Sequence, residues 1–199
     1  MRQREAQLQG HKQDEETGQT MATDVELAVE LGFDQVAAIS SSDVRTDEVL
    51  AASCNPQACR KYGSCWTCPP GAGTFEELQP NIFSKSGGVL VQTIRDGVDF
   101  YEDWDILAEV RTLHNDRLDR LAALMRERHK GVLEFSTGGC DVCSSCSYPD
   151  APCKQPVEQR LSLSAHGVAV GTTCERAGLD YSFENGRIRF VGMILHDAD

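Results

Sequence analysis

From Asp24 onward, the spacing of apolar positions marks out successive elements. Leu27, Ala28 and Leu31 share one helical face behind Asp24, which can cap, and Gly32 sits where a helix turns left-handed and stops; a short helix over 24–31 is predicted. Gln35 to Ile39 reads as a strand, and Ser42 or Asp43 as the cap of a helix running towards Ala52. Thr74 with Glu77 three residues on has the form of a capping box, and Pro80 should end or kink that helix at Leu78 or Gln79. Val89 to Ile94 is a β-branched, uninterrupted apolar run framed by glycines, the signature of a buried strand. Ile106, Val110, Leu113, Leu121 and Leu124 recur at helical spacing, so the longest helix is expected over 103–128, ended by Gly131. Val132 to Phe135 reads as a further strand, and short helices are expected near 157–165 and 172–177. Tyr181 to Phe183, the turn Glu184-Asn185-Gly186 and the run from Arg187 to Leu195 read as a closing hairpin. The fold class is α+β, a small mixed sheet with flanking helices and two cysteine-rich metal-binding loops.

The loops are what the periodicity leaves over: Cys54 to Gly73 and Gly138 to Pro156, both rich in Cys, Gly and Pro. Residues 1–20 contain no aromatic and almost no aliphatic side chain, so they are expected to be a disordered leader before one cysteine-rich domain over 21–199. That leader has no apolar core of a secretory signal, and no apolar run reaches bilayer length. A cytoplasmic, reducing setting is therefore expected, and with nine cysteines pairing cannot be complete within one chain. The formal net charge of −12 disfavours nucleic acid and anionic membrane as partners.

The second loop carries Gly138-Gly139-Cys140-x2-Cys143-x2-Cys146, with Cys153 after a six-residue gap. Two successive two-residue gaps wrap one loop around one small object, as in ferredoxin-type runs whose thiolates hold iron. Gly138 and Gly139 let the backbone approach and offer N–H donors to sulfide. A [4Fe–4S] cluster is the first reading. Structural zinc is the second, although it favours paired C-x2-C units with a longer spacer. Unliganded thiols are the third.

The first loop holds Cys54, Cys59, Cys65 and Cys68 within fifteen residues. Four thiolates can close a second site of either metal, or one can stay free as a redox thiol. Arg60 and Lys61 would lower a thiol pKa in either case, and Tyr62 can donate to a sulfur. Arg60 and Tyr62 are therefore candidate cofactor-binding residues.

Taken together, C-x4-C-R-x-Y-G-x4-C-P-P and G-G-C-x2-C-x2-C with a later P-C resemble the cysteine-rich domain-of-unknown-function family described as predicted metal-binding proteins, common in anaerobic bacteria and archaea. The resemblance runs from about Val36 to Leu195 and takes in the segment Gly171 to Leu179. It implies Cys54, Cys59 and Cys68 as ligands in the first loop and Cys140, Cys143, Cys146 and Cys153 in the second. It leaves the fourth ligand of the first site open between Cys65 and Cys174. It implies metal binding and no particular reaction.

His114 and His129 are expected at the surface or at a helix end, His166 at a helix end, and His196 near the terminus. Three functions fit these residues. The first is an iron–sulfur electron carrier docking through its acidic surface to a redox partner protein. The second is a cluster-dependent reductase, or a corrinoid- or thiol-handling enzyme, with substrate at the first loop. The third is a zinc-stabilised interaction module.

Overall fold

The computed structural model describes residues 23–198, so the expectation for residues 1–20 lies outside the described residues. Helix α1 covers 23–30. Gly32 follows at φ +89°, and the Gly32 N–H returns to the Val29 carbonyl at 2.9 Å, the left-handed stop anticipated at this glycine. Strand β1 (Gln35–Ser40) comes next. In place of the helix expected after Ser42 there is one 3-10 turn, Ser41–Asp43, and then α2 (Glu48–Ala51). The reason is Asp47, whose side chain accepts from the Val49 N–H and starts that helix four to five residues later. The Thr74–Glu77 capping box is present on α3 (Phe75–Leu78), and Pro80 opens α4 (Pro80–Phe83).

Strand β2 (Gly87–Asp96) lies inside the sheet, between β1 and the last strand of the chain. The 23-residue α5 (Trp104–Arg126) crosses it, followed by β3 (Leu133–Ser136), β4 (Arg160–Ser162), α6 (Val170–Arg176) and β5 (Arg187–His196). Sheet order is β1-β2-β5-β3-β4, antiparallel except for the β3–β4 pair. Side chains alternate across it as a pleated strand requires. Val89, Val91 and Ile194 face Leu118, Leu121 and Met125 of α5, while Leu90, Met193 and Leu195 face Ile39, Ile82, Phe135 and Leu163 beneath. Gly192 admits α5 closely, since a Cβ there would stand 2.8 Å from Leu118 Cδ1.

Two expected elements differ. Around 157–165 the chain forms β4 instead of a helix: Leu161-Ser162-Leu163-Ser164 alternates with period two, and Arg160 stands opposite Glu134 in the parallel register. The closing hairpin has only one strand. Tyr181 to Phe183 is not paired and Phe183 is 93% exposed, because β5 takes both its partners, β2 and β3, from elsewhere. The histidines differ too. His114, His129, His166 and His196 are all buried, none more than 6% exposed.

Glu134 is buried on β3, with Arg160 and Arg126 at 3.5 and 3.6 Å, beyond close hydrogen-bond distance. Burial, together with the Asp119 carboxylate, wins over these cations and pushes the Glu134 carboxyl up to about 9. The unfolded carboxyl loses its proton near 4.5, so between these values the folded state holds the extra proton and stability falls as pH rises. Glu134→Gln should abolish that fall. Urea midpoints measured from about pH 5 to about pH 8 should decline for the parent and stay level for the variant.

Candidate metal centre

The first loop is shaped by Asn55 before any metal is considered. Its side-chain oxygen accepts from the Gln57 and Ala58 N–H groups at 3.1 Å each, and its carbonyl accepts from the Cys59 N–H at 3.0 Å. This Asx turn sets the distance between Cys54 and Cys59. Gly63, at φ +65°, folds the chain back so that its N–H reaches the Pro69 carbonyl at 2.8 Å. Cys54, Cys59 and Cys68 consequently line one cavity, along with Tyr62, Lys61 and Arg111.

In the second loop Cys140, Cys143, Cys146 and Cys153 line a second cavity, closed on one side by Trp66 and Thr67 of the first loop. The two loops interlock. Thr67 Oγ1 accepts from the Cys140 N–H at 3.2 Å, and Trp66 Nε1 donates to the Ala151 carbonyl at 3.1 Å. Trp66 and Tyr148 meet edge to face at 5.0 Å. Gly139 lies against the first-loop sulfurs: a Cβ there would stand 2.7 Å from Cys68 Sγ and 3.4 Å from Cys65 Sγ. The glycine is therefore required by close approach.

Cys65 is buried between the two cavities. Its sulfur is hydrogen-bonded to Cys68 and Thr67 and also receives the Cys140 main-chain N–H. The Cys68 hydrogen bond pulls the Cys65 thiol down, and the same contact, with burial, pushes Cys68 up. Burial raises Cys140, against main-chain N–H donors from Val142 and Arg160. Burial and the neighbouring Cys59 raise Cys54. These are donor-rich, partly desolvated sulfurs of the kind that metal ligation stabilises as thiolates.

Eight of the nine cysteines, all but Cys174, stand in or between the two cavities. Cys174 is wholly buried in the apolar layer with Leu90 and Met193, where Gln92 Nε2 donates to its sulfur at 3.4 Å. It belongs to the core, and of the two residues left open as fourth ligand of the first site, Cys65 is the one beside it. Tyr62 lines the first cavity. Arg60 is exposed and lines neither, so the positive charge there comes from Lys61 and from Arg111 of α5. Arg111 also pairs with Asp141 at 3.0 Å. Arg160 donates through Nε to Asp119 at 2.7 Å and through Nη1 to Asp141, fixing the second loop to α5. Sequence reasoning found neither arginine: both lie outside the cysteine loops, in stretches whose pattern is that of ordinary secondary structure.

The donor set fits a metal group. Seven sulfurs line two cavities, an eighth lies between them, the backbone is pared to glycine where sulfur approaches, and N–H groups are aimed at sulfur. Comparison with known proteins agrees. The model of the DUF2284 family, described as predicted metal-binding protein, matches residues 37–196. No curated protein matches, and no solved structure does.

Gly139→Ala should drive a methyl group into Cys68 Sγ and empty the first cavity of metal while β1 to β5 stay folded. Metal analysis beside far-ultraviolet circular dichroism checks this; unchanged metal content would show that the glycine is not needed for the site.

Proposed function

The chain belongs to this family of predicted metal-binding proteins, and we propose that it is an iron–sulfur protein that passes single electrons to a partner. In this reading Cys140, Cys143, Cys146 and Cys153 hold a [4Fe–4S] cluster. Cys54, Cys59 and Cys68, with Cys65 beside them, hold a second centre.

The observation that carries the reading is that four thiols of one loop, three of them at successive two-residue gaps, face one cavity. Structural zinc favours paired C-x2-C units with a longer spacer. The overlapping triple suits a multinuclear centre, which takes thiolates at several corners from one tight loop. Such a group, when bound, supplies a one-electron couple. The chain's own part is to hold four thiolates, to direct the Val142 and Arg160 N–H groups at Cys140, and to keep water away with Trp66. Cationic neighbours and N–H donors both favour the more reduced, more negative form. The formal charge of −12 suits a basic docking face on the redox partner, and free thiols kept for ligation suit a reducing, cytoplasmic compartment.

A second reading rests on the first cavity. Only three sulfurs line it, and Lys61, Arg111, Ser53, Tyr62, Ser162 and Ser164 are the polar side chains of its wall. Two cations and four hydroxyls beside a site one thiolate short would suit an anionic substrate, with the chain acting as a reductase.

Protein made and purified without oxygen should be brown, with iron and acid-labile sulfide. A colourless protein with stoichiometric zinc and no sulfide would sink the proposal. Cys146→Ala should lose one centre's signal and lower stability, because ligation energy is part of folding energy. Arg111→Gln should keep iron and sulfide at parent levels and lower the reduction potential of the first centre, read by a redox-poised electron paramagnetic resonance titration. An unchanged potential would remove Arg111 from that centre's surroundings.

A further inference from the structure

At the end of the sheet where Gly87 pairs with His196, three histidine and carboxylate side chains from distant parts of the sequence converge. Asp24 opens α1, His129 follows α5, and His196 ends β5. They are 0%, 6% and 3% exposed. One ligand atom from each lies within 4.8 Å of the other two, and among the described residues this is the one such trio of His, Cys, Asp or Glu.

The protonation of His196 follows from its contacts. Its Nδ1 is 2.7 Å from the Asp197 carbonyl oxygen, which can only accept, so Nδ1 carries the hydrogen. The lone pair is then on Nε2, and that atom is buried with no hydrogen-bond partner. A buried, unsatisfied acceptor is costly unless something fills it. A ring that donates Nδ1–H to a carbonyl and turns a bare Nε2 inward is also the arrangement that orients histidine towards metal ions. His129 Nε2 stands 2.8 Å from Asp24 Oδ2, while the other carboxylate oxygen pairs with Arg128 at 3.1 Å. The two imidazoles stack at 3.9 Å with 15° between their planes, an arrangement that disfavours a positive charge on both. The nearest cations are already matched, Arg128 by Asp24 and Lys85 by Asp197 at 2.6 Å.

We propose that Asp24, His129 and His196 form a divalent transition-metal site of the zinc class, separate from the cysteine centre, that ties α1 to the ends of α5 and β5. Two imidazoles and one carboxylate are a donor set that zinc accepts readily. His129 binds as a neutral ring, so the proton between His129 Nε2 and Asp24 Oδ2 leaves to solvent and Nδ1 carries the ring's one hydrogen. Burial of all three ligands makes the site a structural clasp.

The test uses Co²⁺ as probe on the full chain, purified with its cysteine centre intact and treated with chelator. The parent should take up about one equivalent per chain with the weak visible bands of nitrogen and oxygen ligation and no sulfur charge-transfer band. His196→Gln should lose that equivalent with iron and sulfide unchanged. Asp24→Asn, on a different element, should weaken cobalt uptake at least tenfold, and serves if the first variant folds poorly. In the parent alone, Zn²⁺ added after chelation should raise the melting temperature. Cobalt seen only on sulfur, uptake that both variants retain, or no uptake by the parent would each overturn the site and leave the trio a hydrogen-bonded cluster.

Discussion

Arg160 is the side chain on which the architecture of the cysteine loops turns. It lies on the edge strand β4, 6% exposed, and its guanidinium meets Asp119 of α5, Glu134 of β3 and Asp141 between two cysteines of the second loop. Its main-chain N–H points at the Cys140 sulfur. One cation thus binds helix, sheet and loop, pairing the carboxylates of Asp119 and Asp141 beside the Glu134 carboxyl, which burial keeps protonated. Asp119 and Asp141 are 41% and 32% exposed and water reaches them, so the cost of losing a partner falls on Arg160, the buried member of the network. It also explains why the chain forms β4 at all: only as a strand beside β3 does residue 160 stand opposite residue 134.

The same constraint organises the electrostatics of the centre. Thiolates gathered in two adjoining cavities add negative charge to a chain already at −12. The structure answers locally. Arg160 and Arg111 converge on Asp141, Lys61 and Arg111 border the first cavity, and main-chain N–H groups are spent on Cys140 and Cys65. Opposite charge close to a partly buried sulfur is worth far more than the same charge on the open surface, where water screens it. The acidic remainder of the molecule can therefore stay acidic without opposing ligation.

Much of the fold was legible because its signals were local. The Thr74–Glu77 capping box, the stop at Gly32 and the apolar run of β2 each depend on neighbours in sequence. The membership of the two cavities was legible for the same reason, since cysteine spacing reports which thiols one loop can bring together. What was not legible depends on distant pairing. β4 was read as a helix because its alternation spans few residues, and its partner Glu134 is 26 positions away in the register. His129 and His196 were read as surface or terminal residues, yet they stack against each other 67 positions apart. Arg111 looks like any polar helix residue until Gly138 and Asp141 are placed beside it.

The interlock of the loops has one more physical consequence. Two well-separated loops would each contribute a metal site that could form alone. Here Thr67 of the first loop accepts from Cys140 of the second, Trp66 closes the second cavity, and Gly139 of the second loop floors the first. Each site is thus partly built from the other loop's backbone. Ordering either loop therefore lowers the conformational entropy still to be lost by the other. By contrast, the layer containing Phe135, Met193 and Leu195 is assembled from strands and helices and includes none of the eight loop cysteines, only Cys174 as an apolar member. The molecule therefore divides physically into a sheet held by apolar packing and two interlocked cysteine loops, which Arg160 pins to α5 through its pairs with Asp119 and Asp141.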